Sequence, residues 1–481
     1  MVIGILASLL LLTLIAYRGL SVILFAPVCA LLACITAGWP LLPSYTEIFM
    51  TRGVIYVKNF FPIFLLGAVF GKVMEESGCA RSIAKLFAEK LGSKHACIAV
   101  ATTTAVLTYG GISMFVAPFA VYPFAYALFK DAGIPRRLIP GSICIGTFTF
   151  AMTCMPGSPQ IQNMIPANYF GTTLYAAPVF GICGTILLAG MSMIWIGWRQ
   201  RKLMHEGFGE LDTRSTTNLD DGVELPNPVL ALIPCAVVLV GNVVFTTILA
   251  GQDPFYIMGK FTPLFDKSVL DFVPKKGLET LVAGRIPVAN WALLISLILS
   301  IIAAIAVSFK QFSIRKNLGA TLNAGALGSL LAIMNTASEV GYGNVVSSLP
   351  GFNSVKEFLM SVRFGDGPLM SEFLTVNVLA GVTGSASGGM SIALEAMGKT
   401  FLDWGASANP VIGPELLHRV AAMASGGLDS LPHNGAIITL MAITGMTHRQ
   451  SYPDCGMVSV VMPIVITFVL VVIWTIFGFT S

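Results

Sequence analysis

A short polar segment inside a long apolar run constrains the fold of this chain more than any other feature. The segment ASGGLDSLPHNGAI, residues 424–437, brings Asp429, Ser430, His433 and Asn434 together with a proline and three glycines. Lipid offers no hydrogen-bond partners, so an unpaired polar group or an interrupted backbone is costly there. We therefore expect this segment to interrupt a membrane helix and to face protein or a water-filled cavity.

Composition places the rest of the chain in a membrane. Of the 481 residues, 55% are hydrophobic and 11% are charged, and the mean hydropathy is +0.81. A soluble domain carries about 25% charged residues. Many apolar runs reach the roughly 20 residues that a helix needs to cross a bilayer, without the alternation of an outer-membrane strand. The sequence therefore predicts an all-α polytopic membrane protein, and its net charge of +4 indicates no nucleic-acid partner.

Gly, Pro and charged clusters divide the chain into two halves that follow the same order. The polar stretch 199–227 has the composition of an exposed cytoplasmic linker, between a first repeat (1–198) and a second repeat (228–481). In the first half, residues 96–129 carry no charge but are too long for one span, and both flanks are basic. This pattern predicts a re-entrant hairpin broken at TYGGIS. A discontinuous helix is predicted at 138–171, interrupted by MPGSPQIQN.

The second half predicts a matching hairpin at 373–398, containing GVTGSASGGMSIAL, and a discontinuous helix at 415–447. Uninterrupted spans are predicted near residues 1–17, 20–38, 59–75, 228–250, 288–309, 319–340 and 453–479. About ten crossings result, five in each half, so the halves would be inverted repeats. Lys and Arg placement agrees with this topology except in the loop 251–287, which is predicted outside.

Inverted repeats would bring the two hairpin tips and the two helix breaks together around one central cavity. A helix N-terminus offers free N–H groups and about half a positive charge, so it can hold a carboxylate without Lys or Arg. None of the four interruptions contains either residue. The candidate substrate-binding residues are Gly110, Gly111, Ser113, Ser158, Gln160, Gln162, Asn163, Ser385, Ser387, Gly388, Ser430, His433 and Asn434.

The two breaks also resemble each other, with SPQIQN set against SLPHNG. We expect one face of the cavity to be formed by Ser158, Gln162 and Asn163. The opposite face would be formed by Ser387, Ser430 and Asn434.

Asp429 and His433 are the candidates for ion coupling, because titratable groups inside a membrane usually serve function. Asp429 could instead cap the following half-helix, and His433 could donate to a backbone carbonyl. The glycines could serve helix packing alone. Glu339 and Glu395 lie near predicted span ends, where interfacial solvation would explain them.

Enzyme chemistry finds no support. The chain lacks HExxH, GxSxG and Walker motifs, and its nine cysteines show no metal or redox spacing. We predict no enzyme activity, no cofactor and no metal site. Transport would then be secondary and driven by an ion gradient.

Several of these segments resemble one family. TGSASGGMSIAL, ASGGLDSLPHNGAIITLMAITGMTHRQSY and TYGGISMFVAPFAVYPFAYALFKDAGIPRRLIPGSI with MPGSPQIQN are similar to the gluconate permease (GntP-type) family of bacterial proton symporters, within the ion transporter superfamily. Within that family, the residues of these motifs most resemble the 3-hydroxybutyrate permease branch. The resemblance implies a homodimer, a scaffold of early spans and a transport subdomain that moves as an elevator.

We therefore predict a multi-pass protein of the cytoplasmic (inner) membrane that imports a small monocarboxylate by proton symport. The substrate would be a hydroxy acid such as 3-hydroxybutyrate or gluconate. A Na⁺-coupled carboxylate symporter is one alternative. An anion channel is another, but paired breaks favour a closed central site over a continuous pore.

Overall fold

Apolar helices joined by short loops make up the part of the chain that the structure describes. The structure is a computed structural model, which describes residues 2–18, 20–92, 95–114, 116–209, 225–250, 288–310, 312 and 318–480. Within those ranges there is no β-strand, and the predicted all-α polytopic fold is confirmed. Residues 210–224 of the predicted linker and the predicted outer loop 251–287 lie outside the described residues.

The first half contains nine helices among the described residues. They are α1 (Val2–Tyr17), α2 (Val22–Ala37), α3 (Leu41–Glu76), α4 (Cys79–Leu91), α5 (Ala96–Tyr109), α6 (Ala117–Asp131), α7 (Leu138–Thr153), α8 (Ile161–Phe170) and α9 (Pro178–Leu203).

The second half follows the same order. Its described helices are α10 (Ile233–Ala250), α11 (Val288–Val307), α12 (Leu318–Ser348), α13 (Phe352–Ser361), α14 (Leu369–Thr383), α15 (Ala386–Ser407), α16 (Pro414–Ser425), α17 (Gly435–Thr444) and α18 (His448–Phe477). If the two halves are repeats, as predicted, α3 corresponds to α12 and α7 to α16.

Six helices of the described ranges are long and apolar enough to cross a membrane, namely α3, α9, α10, α11, α12 and α18. The pairs α5–α6 (hairpin 1) and α14–α15 (hairpin 2) differ from them. At 1.5 Å per residue, α5 is about 21 Å long, which is too short to cross a bilayer core of about 30 Å. The chain reverses at Gly110 and Gly111 in hairpin 1 and at Gly384 in hairpin 2.

The two discontinuous helices are interrupted where the polar motifs lie. α7 ends at Thr153 and α8 begins at Ile161, so residues 154–160 form break 1. α16 ends at Ser425 and α17 begins at Gly435, so residues 426–434 form break 2.

One long helix begins earlier than the sequence suggested. The span predicted near 59–75 belongs to α3, which starts at Leu41 and includes a π-helical stretch at Ser44–Met50. This longer helix includes Arg52, a residue that is costly within a membrane span unless it is paired. Its charge is paired with Glu395 of α15, at 3.0 Å between Nη1 and Oε1. The partner lies 343 residues away, so no local pattern indicates it.

Helices α3 and α12, which are counterparts in the two halves, pack closely against each other. A methyl group added to Gly325 of α12 would lie 2.7 Å from the Cα atom of Val69. One added to Gly53 of α3 would lie 3.2 Å from the carbonyl oxygen of Ala337. Small residues at such contacts let helix backbones approach closely, which favours association of helices in lipid.

A buried ion pair joins the last helices of the two halves. Arg199 of α9 donates to both carboxylate oxygens of Asp454 of α18, at 2.6 and 3.1 Å. Trp195 Nε1 also donates to Asp454, at 3.2 Å. The Asp454 side chain is 1% exposed and that of Arg199 is 15% exposed. Removing one member therefore leaves the other charged and nearly buried.

We predict that Asp454→Asn lowers the free energy of unfolding by about 3–5 kcal/mol, the usual cost of breaking a buried ion pair from one side. Thermal unfolding of the purified protein in detergent measures the change. The matched control is Asp403→Asn, which removes an exposed pair with Lys399 and should change stability by less than about 1 kcal/mol. Equal melting temperatures for the two variants would contradict the role assigned to Asp454.

Candidate functional site

Break 1 is tied to the tip of hairpin 1 by two side chains. Gln160 Nε2 donates to the carbonyl oxygens of Thr108 (2.7 Å) and Ile112 (3.3 Å). In the other direction, the Tyr109 hydroxyl donates to the carbonyl oxygen of Pro156, at 2.9 Å. These three bonds hold break 1 against the tip of hairpin 1.

Break 2 is tied to hairpin 2 in a similar way. Asn434 Nδ2 donates to the carbonyl oxygen of Gly384 at the hairpin tip, at 2.9 Å. Asn377 of α14 accepts from the Leu428 N–H through Oδ1, at 3.1 Å. The His433 ring lies against the same tip, since a methyl group at Gly384 would be 2.8 Å from Nε2.

One hydrogen bond recurs in both breaks. Asn163 Nδ2 donates to the carbonyl oxygen of Ser158, and Asn434 Nδ2 donates to that of Asp429, both at 2.9 Å and both five residues back. This equivalence aligns SPQIQN with DSLPHN. The sequence comparison with SLPHNG was therefore displaced by one residue, and Gln162 corresponds to His433.

The two breaks also contact each other. A methyl group on Gly426, the first residue of break 2, would lie 2.9 Å from Thr153 Cγ2 at the end of α7. Asn163 Oδ1 lies 2.9 Å from both His418 Nε2 and Arg419 Nη1, which belong to α16. The four interruptions therefore form one continuous polar region.

Arg419 is a residue of this region that the sequence analysis missed. Its side chain is fully buried, and it donates to Asn163 Oδ1 and to the carbonyl oxygens of Leu174 and Ala176. Among the described residues it forms no ion pair with a carboxylate. Arg419 lies in α16, seven residues before the first residue of break 2, so only its burial and its partners reveal that it contacts Asn163 and the loop before α9.

Two helix N-termini converge where hairpin 2 meets break 2. Ser385 caps α15 by accepting from the Gly388 N–H at 3.1 Å. Asn434 caps α17 by accepting from the N–H groups of Ala436 and Ile437 at 2.7 and 3.0 Å. Because Asn434 also donates to Gly384, the residue before Ser385, the positive ends of both helices lie side by side.

Asp429 and His433 both lie in this region. The Asp429 side chain is fully buried, and its Oδ1 accepts from the Ser430 hydroxyl at 3.1 Å. Its Oδ2 has no hydrogen-bond partner among the described residues. The Ser430 carbonyl oxygen accepts from the Tyr452 hydroxyl of α18. Asp429 does not cap α17, because Asn434 occupies that position.

The glycines serve two different purposes. Gly111 and Gly384 have positive φ angles of 96° and 63°, which favour glycine at both hairpin tips. Gly110 and Gly388 are instead required for close contact. A methyl group on Gly110 would lie 2.6 Å from Cys235 Sγ, and one on Gly388 would overlap the carboxylate of Glu339.

The remaining candidate residues differ in how far their polar atoms are bonded to the protein. Ser158 donates to the carbonyl oxygen of Ala151 at 2.7 Å, and Asn163 is fully used by protein partners. Gln162 is buried with Oε1 unpartnered among the described residues. Ser113, Ser385 and Ser387 are half-buried at the hairpin tips. Across the expected cavity, no described hydrogen bond joins Ser158 or Gln162 to Ser387, Ser430 or Asn434.

Interfacial solvation, which the sequence suggested for Glu339, does not explain this residue. It lies on α12 and is 4% exposed, with its carboxylate against the first turn of α15. Glu395 is half-buried and paired with Arg52. Within the described residues there is no cluster of three or more His, Cys, Asp or Glu side chains that could hold a metal ion.

We predict that Arg419→Lys abolishes transport and lowers the free energy of unfolding by about 2–4 kcal/mol, because a lysine cannot reproduce the planar set of donors. Thermal unfolding and solute uptake are the measurements. Arg449→Lys, at an exposed position in α18, is the matched control. Retained stability and uptake in Arg419→Lys would show that charge alone is needed there.

Comparisons with known proteins match the chain to transporters. The family model "GntP family permease" matches residues 1–268. The relative named uncharacterized transporter YxjC, from Bacillus subtilis (strain 168), is 42% identical over 460 residues, which cover 93% of each chain.

Two solved structures share the fold. The YdaH transporter of Alcanivorax borkumensis, described as having an unusual topology, aligns with a TM-score of 0.54 at 16% identity, over 90% of this chain and 89% of that one. MtrF of Neisseria gonorrhoeae, described as representing a class of antimetabolite efflux pumps, aligns with a TM-score of 0.51 at 14% identity, over 91% and 86%. With the family model matching over half of its length and a relative this similar across nearly all of it, the chain belongs to the GntP permease family and is a multi-pass transporter of the cytoplasmic membrane.

Proposed function

We propose that this transporter imports a small hydroxy monocarboxylate, such as 3-hydroxybutyrate or gluconate, by proton symport. The observation that carries the proposal is the convergence of the α15 and α17 N-termini at Ser385 and Asn434. Converging N–H groups and helix dipoles attract an anion. The family resemblance of the break motifs supports a sugar acid or hydroxy acid as that anion.

Hydroxyl and amide groups around this position suit the rest of such a substrate. Ser385 and Ser387 lie on the first turn of α15, with their hydroxyl oxygens 3.4 Å apart. Gln162, the counterpart of His433, supplies a buried acceptor with free capacity. Ser158 and Asn163 act indirectly, since their bonds hold the shape of break 1.

The architecture supports alternating access by relative movement of two parts. The order of the helices repeats, and five crossings in each half would invert the second copy. The close contact between α3 and α12 suits a scaffold, and the hairpins and broken helices suit a moving transport subdomain. An elevator motion within a homodimer follows from the superfamily resemblance and is part of this proposal.

Asp429 and His433, the sequence candidates for ion coupling, lie beside the N-terminus of α17. A coupling group must change its proton affinity when the substrate is present, and a buried carboxyl group beside an anion does so. The free Oδ2 of Asp429 equally provides a hard oxygen ligand for Na⁺ together with nearby carbonyls. The choice of coupling ion therefore needs a direct test.

We expect purified protein in proteoliposomes to accumulate labelled gluconate or 3-hydroxybutyrate under an inward proton gradient. An imposed Na⁺ gradient at equal pH on both sides should give no accumulation. Na⁺-driven accumulation would show that Na⁺ and not the proton is the coupling ion. Vesicles that show downhill flux but no counterflow would indicate a channel instead.

We further predict that Asn434→Ala weakens substrate binding about tenfold or more, because it removes a helix cap and leaves the carbonyls of Gly384 and Asp429 unpaired. Ser158→Ala, which removes one internal hydrogen bond, should weaken binding about fivefold. Isothermal titration of the purified variants measures the dissociation constant.

The matched controls are Asn353→Ala and Ser361→Ala, both at exposed positions in α13. They should bind like the wild type. Wild-type affinity in both Asn434→Ala and Ser158→Ala, at normal expression, would remove the two breaks from the substrate site.

A further inference from the structure

A carboxylate of the protein itself occupies the N-terminus of α15. Glu339 extends from α12, and its Oε2 lies so close to Gly388 that any side chain at that position would overlap it. The Ser385 hydroxyl lies beside the same carboxylate. Glu339 is only 4% exposed, and its Oε2 has no hydrogen-bond partner among the described residues.

The groups that face Glu339 are mostly neutral. Tyr56 of α3 interacts electrostatically with it, and Ser391 of α15 and Thr336 of α12 lie beside the Tyr56 hydroxyl. On the far side of the hairpin tip is His433, against Gly384. No described Lys or Arg forms an ion pair with Glu339. The positive end of α15 is therefore its principal electrostatic partner.

A cavity lies near this carboxylate, although Glu339 is not among its lining residues. It has a volume of about 110 Å³, and both Tyr56 and Val340, the neighbour of Glu339, line it. Its outer part holds the ion pair of Arg52 with Glu395, and the Tyr169 hydroxyl donates to Glu395 Oε2 at 2.8 Å. The Arg52 side chain is 50% exposed, so solvent reaches the outer part of the cavity, and Tyr56 lines its wall.

We propose that Glu339 is the proton-carrying group of this transporter and a resident competitor of the substrate. Deprotonated, its carboxylate occupies the N-terminus of α15. A proton arriving through the Tyr56 cavity neutralises Glu339, and the substrate carboxylate then takes the place at the helix N-terminus. Release of the substrate on the other side allows the proton to leave and the Glu339 carboxylate to return.

This exchange makes transport obligatorily coupled. Two carboxylates at one buried helix N-terminus repel each other strongly, so substrate binds only when Glu339 carries a proton. One anion and one proton then move together, without net charge. The inference rests on the proposed function and identifies the coupling residue of that site.

The test compares the wild type with Glu339→Gln, using gluconate and 3-hydroxybutyrate as probes. Wild-type dissociation constants should rise about tenfold per pH unit above the pKa of the coupling group, because binding takes up one proton. Those of Glu339→Gln should change less than about twofold over the pH range in which the wild-type constants rise. The variant should retain counterflow but lose accumulation driven by a proton gradient.

Two further variants separate coupling from folding. Glu339→Asp keeps a titratable group and should keep pH-dependent binding, with slower proton-driven uptake. Glu357→Gln, at an exposed position in α13, should behave like the wild type in every assay.

Proton-driven accumulation and pH-dependent affinity in Glu339→Gln would overturn the inference. So would loss of all binding in both the Gln and Asp variants at normal melting temperature, which would assign Glu339 a role in direct contact. Failure of the wild type to accumulate either acid under a proton gradient would instead contradict the proposed function, before any variant is considered.

Discussion

The structure depends on satisfying the backbone of two interrupted helices inside a membrane. Each break exposes carbonyl and N–H groups that lipid cannot hydrogen-bond. An asparagine at each break, Asn163 in the first turn of α8 and Asn434 in break 2, donates to the carbonyl five residues before it. Both amides also bind a neighbouring element, Asn163 through Arg419 of α16 and Asn434 through Gly384 of hairpin 2. The local repair of each helix therefore also assembles the site.

Buried charges in this protein have distinct roles that their environments explain. Arg199 and Asp454 neutralise each other and join α9 to α18. Arg419 is surrounded by carbonyls and an amide and holds the loop before α9 against α16. Glu339 forms no ion pair within the described part of the chain, and its carboxylate lies at the positive end of a helix, beside the Ser385 hydroxyl. A charge held mainly by a helix dipole is easier to displace than one held in an ion pair, which suits a coupling group.

Much of the fold could be predicted because lipid restricts which patterns survive. The uncharged stretch at Ala96–Phe129 was too long for one span, and the structure divides it between α5 and α6. The polar motifs marked the ends of α7 and α16 in the same way. Two features resisted prediction because their causes are distant in sequence. The pairing that allows Arg52 to lie within α3 depends on Glu395 of α15. Glu339 was assigned to an interface because its contact with Gly388 is not visible in the sequence.

The sequence by itself determined where helices must break, since apolar length, glycine, proline and clustered polar residues act locally on the backbone. It also determined the membrane class and the resemblance that indicated the family. Only the tertiary structure decided which groups meet. The buried position of Arg419 arises from contacts between the two halves. The buried position of Glu339 and the shared location of the α15 and α17 N-termini arise from contacts between separate helices of the second half. Such contacts depend on how helices pack across hundreds of residues, and hydrophobic periodicity along one helix carries no information about them.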